Sequence, residues 1–258
     1  MMKRKILGWL VAQAYWLTGL RRRAIAKARQ PGMILPIVFH AAAPNEVRAI
    51  LLWLKVHELL EHVELTFDDG WREFKSMLPV LEEFGKSATL FIAPGETRRG
   101  RIWTDGLSLA DRKRLYGASE AERCFVGKAS ETPALLTEAE VREVARHPLV
   151  RLGNHTWSHV SCVHRPVDEV LSEIRRAQDT LTEWGGCAPT EFAYPFGRGT
   201  PELDAAIRAL GLRPHYTRQG LTTEATRGAA RNMVYEGMTI AENIGRILMA
   251  WPKVGVTL

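Results

Sequence analysis

VELTFDDG, residues Val63–Gly70, is a strand-like run that ends in two adjacent carboxylates and a glycine. Adjacent carboxylates are costly to hold together, because like charges at that range raise the pKa of one of them. Proteins keep such pairs where a metal ion or a proton transfer uses them, whereas a lone Asp-Asp-Gly is more often a solvated turn. Asp68 and Asp69 therefore indicate a reactive site only if other elements support them.

A second element, NHTWSH at Asn154–His159, has two histidines four residues apart. We predict that one helical turn places the imidazoles of His155 and His159 on the same face. Two imidazoles and one carboxylate make a three-ligand set that leaves open positions for water, as hydrolytic metals require. Such a pair on its own is a weak signal, so the prediction depends on the other motifs.

A third element, FAYPFG at Phe192–Gly197, completes an ordered set of three motifs. In order and spacing, from roughly Ile34 to Val234, the chain resembles the polysaccharide deacetylase family. These are the NodB-homology enzymes of the carbohydrate esterase 4 type, which remove acyl groups from amino sugars. The resemblance implies a distorted barrel with fewer than eight strands and a metal-dependent hydrolase.

Strand-like and helical runs alternate along the chain, which predicts an α/β fold with a parallel sheet curled into a barrel. The seven strand-like runs are Ile34–Phe39, Val63–Phe67, Ala88–Ile92, Leu149–Leu152, Glu191–Tyr194, Arg213–Thr217 and Asn232–Tyr235. The helical patterns are Asn45–Leu60 after an Asn cap, Glu73–Phe84, a helix from a Thr137–Glu140 capping box to His147, Asp168–Trp184, and Pro201–Leu210. We therefore predict a distorted (β/α) barrel of about seven parallel strands.

Four of these strand ends deliver polar or motif residues, and in such barrels the chemistry lies at the carboxyl ends of the strands. The residues are His40, Asp68 with Asp69, His155 and Pro195. From Pro94 to Pro133 the alternation breaks, with Arg98 to Arg101 near the start. We predict an insertion on the active-site rim that recognises an anionic glycan or lipid carrier, the alternative being a solvated loop.

The resemblance also implies roles for the motif residues. Asp69, His155 and His159 would hold a divalent metal, zinc first, with Co²⁺, Mn²⁺ or Ni²⁺ as alternatives. Asp68 would be the general base, and the backbone N–H of Phe196 would stabilise the oxyanion.

Substrate contacts are expected from four further residues, Tyr194, Pro195, Trp157 and Arg231.

Two departures from the family pattern leave roles open. Ala193 stands where family members often have an arginine that orients the base. No histidine follows His215, although members often have a late histidine that protonates the leaving amine. His40 is the preferred general acid, with His215 as the alternative, and Arg231 is the candidate for the missing positive charge.

Composition sets the limits of these expectations. The chain has 258 residues, 25% charged and 46% hydrophobic, which is enough for one sizeable core. Its three cysteines, Cys124, Cys162 and Cys187, show no paired spacing, which argues against a disulfide framework and for a reducing compartment.

The net charge of +6 is concentrated near the start of the chain, around an apolar run from Ile6 to Leu20. Fifteen residues are too few for a bilayer span, which needs about 20. We expect residues 1–30 to form a helix on an anionic membrane, at the cytoplasmic face, ahead of a barrel at 31–258. A helix packed on the barrel and a signal anchor are the alternatives. A nucleic-acid partner is not expected, because no nucleic-acid motif accompanies the charge.

The expected function is therefore a metal-dependent hydrolase that removes an N-acyl group, acetyl or formyl, from an amino sugar. In its departures from the family pattern, the chain resembles the branch that acts on bacterial surface polysaccharides, exopolysaccharides or lipid-linked precursors more than it resembles chitin deacetylases. The alternative is an inactive barrel that binds a glycan or scaffolds a membrane assembly. Metal content separates the two, because a purely structural barrel does not need a solvent-open metal.

Overall fold

The computed structural model describes residues 19–102, 108, 110–111, 135–217, 220–223, 230–235 and 238–250. Within them one sheet contains eight strands: β1 Met33–Phe39, β2 Val63–Phe67, β3 Ala88–Ile92, β4 Val150–Asn154, β5 Glu191–Ala193, β6 Arg213–His215, β7 Thr222–Thr223 and β8 Asn232–Met233. Strands β6 to β1 follow each other in reverse chain order and are parallel. The sheet curls into a distorted barrel, so this prediction is confirmed.

The edge of β1 is shared by two short strands. β8 pairs in parallel with Ile37 and Val38, which makes seven parallel strands, whereas β7 pairs antiparallel with Met33 and Ile34. Sequence reasoning missed β7, because two residues are too short to show a periodicity.

The helices of the described residues cover the outside of this sheet. They are α1 Leu20–Ala28, α2 Pro44–Val56, α3 Leu78–Phe84, α4 Pro94–Arg99, α5 Glu138–Val144, α6 Val167–Gly185, α7 Pro201–Ala209 and α8 Ile240–Ala250. Short 3-10 turns occupy Leu60–His62, Arg72–Met77, Cys162–His164 and Pro195–Gly197. The predicted capping box at the start of α5 is present, since Thr137 accepts from the Glu140 N–H and Glu140 accepts in return.

Two helix predictions need correction. α2 begins at Pro44 with Ala43 as its cap and not with Asn45, because proline suits the first turn, where its missing N–H is not needed. The predicted helix Glu73–Phe84 is instead a 3-10 turn followed by α3. Pro79 cannot donate to the carbonyl of Lys75, so an α-helix cannot run through this point.

The two apolar clusters lie outside the curled sheet, whereas its inside holds polar side chains around the ring of Phe91. The larger apolar cluster joins β1–β4 to α1, α2, α3, α5, α8 and the end of α6, and a second one joins β5 and the residues flanking β6 to α6 and α7. Glu64 of β2 meets Glu191 of β5 and His215 of β6. β2 is not a neighbour of β5 or β6 in the sheet, so Glu64 meets the other two side chains across its inner face.

The start of the chain is described only from residue 19. Ala24, Ile25 and Ala28 of α1 are buried in the larger cluster, and α1 contacts β1 and α8. Residues 20–28 are therefore a packed helix, the alternative to the membrane helix, while residues 1–18 lie outside the described residues. Among the described helices none is long and apolar enough to cross a membrane. Of the predicted insertion, α4 is described and most of residues 103–134 are not.

Candidate metal centre and active site

The two aspartates follow β2 through a sharp turn. The Asp68 N–H donates to the Phe39 carbonyl at 2.9 Å, which continues the pairing of β2 with β1. Asp69 and Gly70 then both adopt left-handed backbone, with φ of 72° and 74°. A side chain at Gly70 would also collide with Ile92, 2.5 Å from an added Cβ. The strand end and this turn together present both carboxylates at the carboxyl edge of the sheet.

The histidine pair lies on an irregular loop after β4, so the predicted helical turn is wrong. Thr156 and His159 have left-handed φ values of 62° and 50°, which an α-helix does not allow. The Asn154 side chain holds the start of the loop, accepting from the Thr156 N–H at 3.0 Å and donating to the Ile174 carbonyl at 2.9 Å. The spacing of four still brings the imidazoles of His155 and His159 together, with ring centroids 5.0 Å apart.

Asp69, His155 and His159 form a buried donor set that fits a divalent metal. Asp69 Oδ1 lies 3.4 Å from His155 Nε2 and 3.2 Å from His159 Nε2. Two ligand atoms of one tetrahedral zinc ion lie about 3.3 Å apart, given bonds near 2.05 Å. Asp69 Oδ1 is buried and accepts no hydrogen bond from the described residues. A buried acceptor facing two imidazoles without such a bond is what a metal ligand requires.

The orientation of His155 also suits a ligand. Its Nδ1–H donates to the Ala193 carbonyl at 2.7 Å, which leaves the Nε2 lone pair facing Asp69. Burial disfavours the imidazolium, yet the adjacent carboxylate of Asp69 and the charge of Asp68 raise the pKa of His155. Burial likewise disfavours charged Asp69, but the adjacent imidazoles of His155 and His159 hold its pKa well below its usual value. Metal and proton thus compete for the same atoms.

A second group of suitable residue types, Glu64, Glu191 and His215, does not share this geometry. His215 Nε2 lies only 2.6 Å from Glu191 Oε2, closer than two ligands of one zinc ion and typical of a charge-assisted hydrogen bond. Arg213 Nη1 also lies 3.7 Å from Glu191 Oε1. We therefore interpret this group as a buried ion cluster and not as a metal site.

Asp68 is held by an arginine that comes from the far end of the chain. Arg231 Nη1 and Nη2 donate to Asp68 Oδ1 and Oδ2 at 2.6 and 2.8 Å, and Nη1 also reaches Thr66 Oγ1 at 3.3 Å. Burial would raise the pKa of Asp68, but the charge of Arg231, that of His155 and the Arg231 hydrogen bonds outweigh it and lower the pKa. The base is therefore kept ionised and fixed in orientation.

This position corrects the expected role of Arg231. Its side chain is fully buried and both terminal nitrogens bond Asp68, so it is placed to orient the base and not to contact substrate. The signal for this was present in the sequence. Ala193 lacks the arginine that orients the base in family members, and Arg231 directly precedes the strand-like run at Asn232.

Three other predicted site residues, His40, Pro195 and Phe196, follow β1 and β5 at the same edge of the sheet as the donor set. His40 is half-buried directly after β1, and its charge acts on both Asp68 and Asp69. Pro195 is buried, and the ring of Phe196 meets that of His159 edge-on at 4.8 Å. Phe196 has a left-handed φ of 63°, so the backbone turns sharply beside the metal ligand.

Two expected substrate contacts are placed elsewhere. Tyr194 is fully buried in the second apolar cluster, stacks on Tyr216 and donates to Asp204 at 2.8 Å. Because side chains alternate along β5, Ala193 faces inward and Tyr194 outward, so this prediction is wrong. The indole of Trp157 packs against Arg98 and Arg176 on the flanking helices.

Comparison with known proteins agrees with this fold. A family model described as polysaccharide deacetylase matches residues 60–215, more than half of the chain. The PplD deacetylase of Streptococcus pyogenes, in complex with acetate, has a TM-score of 0.59 at 18% identity, covering 84% of this chain and 99% of that one. IcaB from Ammonifex degensii has a TM-score of 0.62 at 18% identity, covering 86% and 99%.

The deacetylase domain of BpsB from Bordetella bronchiseptica has a TM-score of 0.52 at 15% identity, covering 80% of this chain and 90% of that one. At these identities the three structures show the shared fold alone. The match of the family model covers Asp68, Asp69, His155, His159 and Phe192–Gly197.

Proposed function

The chain belongs to the polysaccharide deacetylase family, and from this membership and the geometry of the site we propose a metal-dependent de-N-acylase. Its substrate would be an N-acetylated, or N-formylated, amino sugar in a bacterial surface polysaccharide, exopolysaccharide or lipid-linked precursor. Zinc is the proposed metal, with Co²⁺, Mn²⁺ and Ni²⁺ as alternatives. One nitrogen-and-oxygen donor set serves all four ions, so the ligand types do not separate them.

Asp69, His155 and His159 are the proposed ligands. When bound, a divalent ion at this site supplies Lewis acidity, which lowers the pKa of water and polarises the acyl carbonyl. Asp68 accepts the proton of the attacking water as the new C–O bond forms. Arg231 supports this role, because it keeps the Asp68 carboxylate ionised and fixes its orientation by a hydrogen bond to each carboxylate oxygen.

The remaining roles concern the oxyanion and the leaving group. The backbone N–H of Phe196, in the turn beside His159, is proposed to donate to the oxyanion. As the C–N bond breaks, the amine needs a proton, and His40 at the end of β1 is the proposed donor. His215 is less suited, because its Nε2 is already bonded to Glu191 at 2.6 Å.

The observation that carries this proposal is the convergence of Asp69, His155 and His159 next to an arginine-held Asp68. An inactive barrel would have no need for a buried base fixed by a bidentate arginine. The missing family arginine was the ground for that alternative, and Arg231 supplies Asp68 with a guanidinium partner from another part of the chain.

The test separates the two aspartates. Acetate release from N-acetylglucosamine oligomers and bound metal are measured for the wild type, Asp68→Asn and Asp69→Asn. We expect Asp68→Asn to keep the metal and lose about 100-fold or more in turnover, and Asp69→Asn to lose the metal first. If Asp68→Asn loses the metal and Asp69→Asn keeps it, the roles are reversed. A wild type that binds metal without hydrolysing any N-acyl sugar would favour a glycan-binding barrel.

We also propose that the protein is peripheral at the inner face of the cytoplasmic membrane, held by its N-terminal segment. The support is the apolar run Ile6–Leu20 between two basic groups, a pattern that suits anionic lipid.

A further inference from the structure

The loop that holds both histidine ligands is conformationally strained. Thr156 and His159 both lie in the left-handed region, which non-glycine residues rarely adopt. Such conformations persist only where the surrounding structure over-determines them. Because His159 is itself a proposed ligand and Thr156 adjoins the other, relaxation of this loop would move both imidazoles.

The residue in the middle of the loop, Trp157, is fixed from two helices. The guanidinium carbon of Arg176 on α6 lies 3.8 Å from the indole centroid, and that of Arg98 on α4 lies 5.5 Å away. The Trp157 carbonyl accepts from the Gly95 N–H at 2.8 Å. A Cβ at Gly95 would come within 2.7 Å of the Trp157 ring nitrogen and carbonyl oxygen, so the backbone of α4 approaches the indole as closely as glycine allows.

The next residue is held in the same way. The N–H and hydroxyl of Ser158 both donate to Glu173 Oε2 on α6, at 2.8 and 2.9 Å. The two residues between Thr156 and His159 are thus anchored by α4 and α6, outside the donor set itself.

We propose that Arg98, Arg176 and Gly95 are positioning residues, which brace Trp157 and thereby keep His155 and His159 in the geometry that binds metal. The inference rests on the proposed metal-dependent function. It assigns the indole to the support of the metal loop, in place of the expected substrate contact. Residues that orient metal ligands from outside typically change metal affinity by 10–100-fold when they are altered.

The test measures zinc affinity of the full-length protein by competition with a chromophoric chelator, so that the readout does not depend on turnover. We expect Arg176→Ala, which removes the close cation–π contact, to weaken zinc binding about tenfold. Gly95→Ala should do the same by displacing the indole without changing any charge. Arg176→Lys keeps a cation over the ring and should bind zinc more tightly than Arg176→Ala. Arg175→Ala, an exposed neighbour on α6, is the control and should bind as the wild type does.

A second measurement separates the brace from general stability. Thermal unfolding with and without zinc should show a smaller zinc-induced gain in Arg176→Ala and Gly95→Ala than in the wild type. If these variants bind zinc as tightly as the wild type, or if Arg175→Ala weakens binding equally, the brace is overturned while the proposed function stands. If the wild type itself binds no zinc or other divalent ion, both proposals fall.

Discussion

At the scale of single residues, Arg231 and Asp68 form a fully buried ion pair in which the guanidinium keeps the carboxylate ionised. Arg231→Ala removes the guanidinium that lowers the pKa of Asp68. The carboxylate stays buried, and burial without a cationic partner raises its pKa. The base would then be protonated at higher pH, so the acidic limb of the kcat/KM profile should move to higher pH. Removing one partner of a buried pair should also cost about 3–5 kcal/mol of stability.

The sign of the stability effect follows from the same shift. The lowered pKa of folded Asp68 gives stability that is present above the unfolded pKa and lost as the pH falls through the folded pKa.

Arg213→Ala is the control for the kcat/KM profile, since Arg213 lies beside Glu191. It should leave the acidic limb in place. An unmoved limb in Arg231→Ala would show that Arg231 does not tune the base.

His40 offers a second prediction at this scale. If it protonates the departing amine, His40→Ala should lower turnover on N-acyl sugars by about 100-fold. It should lower turnover far less on an activated ester, whose leaving group needs no proton. The measurement is the amide-to-ester rate ratio, with His215→Ala as the comparison. His215→Ala should affect stability instead, because it removes a buried partner of Glu191. A ratio that falls only in His215→Ala would move the acid there.

At the scale of elements, β8 places Arg231 and depends on one side chain. Asn232 donates to the carbonyls of Pro36 and Gly220 at 2.9 and 2.7 Å and accepts from the Gly220 N–H at 3.0 Å. Asn232→Ala should cost about 2–4 kcal/mol, since each buried group left unpaired costs about 1–3 kcal/mol. Turnover should also fall, because Arg231 loses its anchor.

Urea denaturation and acetate release measure both effects. Met233→Leu, a half-buried position on the same strand, is the matched control and should stay within about 1.5 kcal/mol of the wild type, because the swap conserves volume. Equal stability of Asn232→Ala and the wild type would show that the strand does not need this side chain.

Elements also show what the sequence could and could not predict. The sequence could locate Asp68, Asp69 and His155 at the same edge of the sheet. Each follows a strand, and the carboxyl ends of parallel strands lie at one edge. Tyr194 was misassigned, because a motif does not show which face of a strand a side chain takes. The loop of His155 and His159 was misread as a helix, since spacing alone cannot reveal left-handed backbone. Arg231 was a sequence candidate for the missing positive charge, but only the pairing of β8 with β1 shows that it reaches Asp68.

At the scale of the whole molecule, the packing of α1 divides the N-terminal segment into two parts. Ala24, Ile25 and Ala28 are buried in the larger apolar cluster, whereas Arg22 and Arg23 are exposed. The sequence predicted a single unit over residues 1–30, because charge and hydropathy do not show which helix face a barrel will cover. The barrel itself was predictable, since strand-like runs alternate with helical patterns along the chain.

Two truncations test this division. Deleting residues 1–18 should release the protein from anionic liposomes and leave its unfolding midpoint unchanged, because α1 remains packed. Deleting residues 1–28 should release it too, but cost about 2 kcal/mol or more, since Ile25 and its neighbours no longer cover the core. Flotation of the full-length protein should weaken with salt for its electrostatic part, while the apolar part persists. Full-length protein that ignores both lipid and the first deletion would leave the segment without a membrane role.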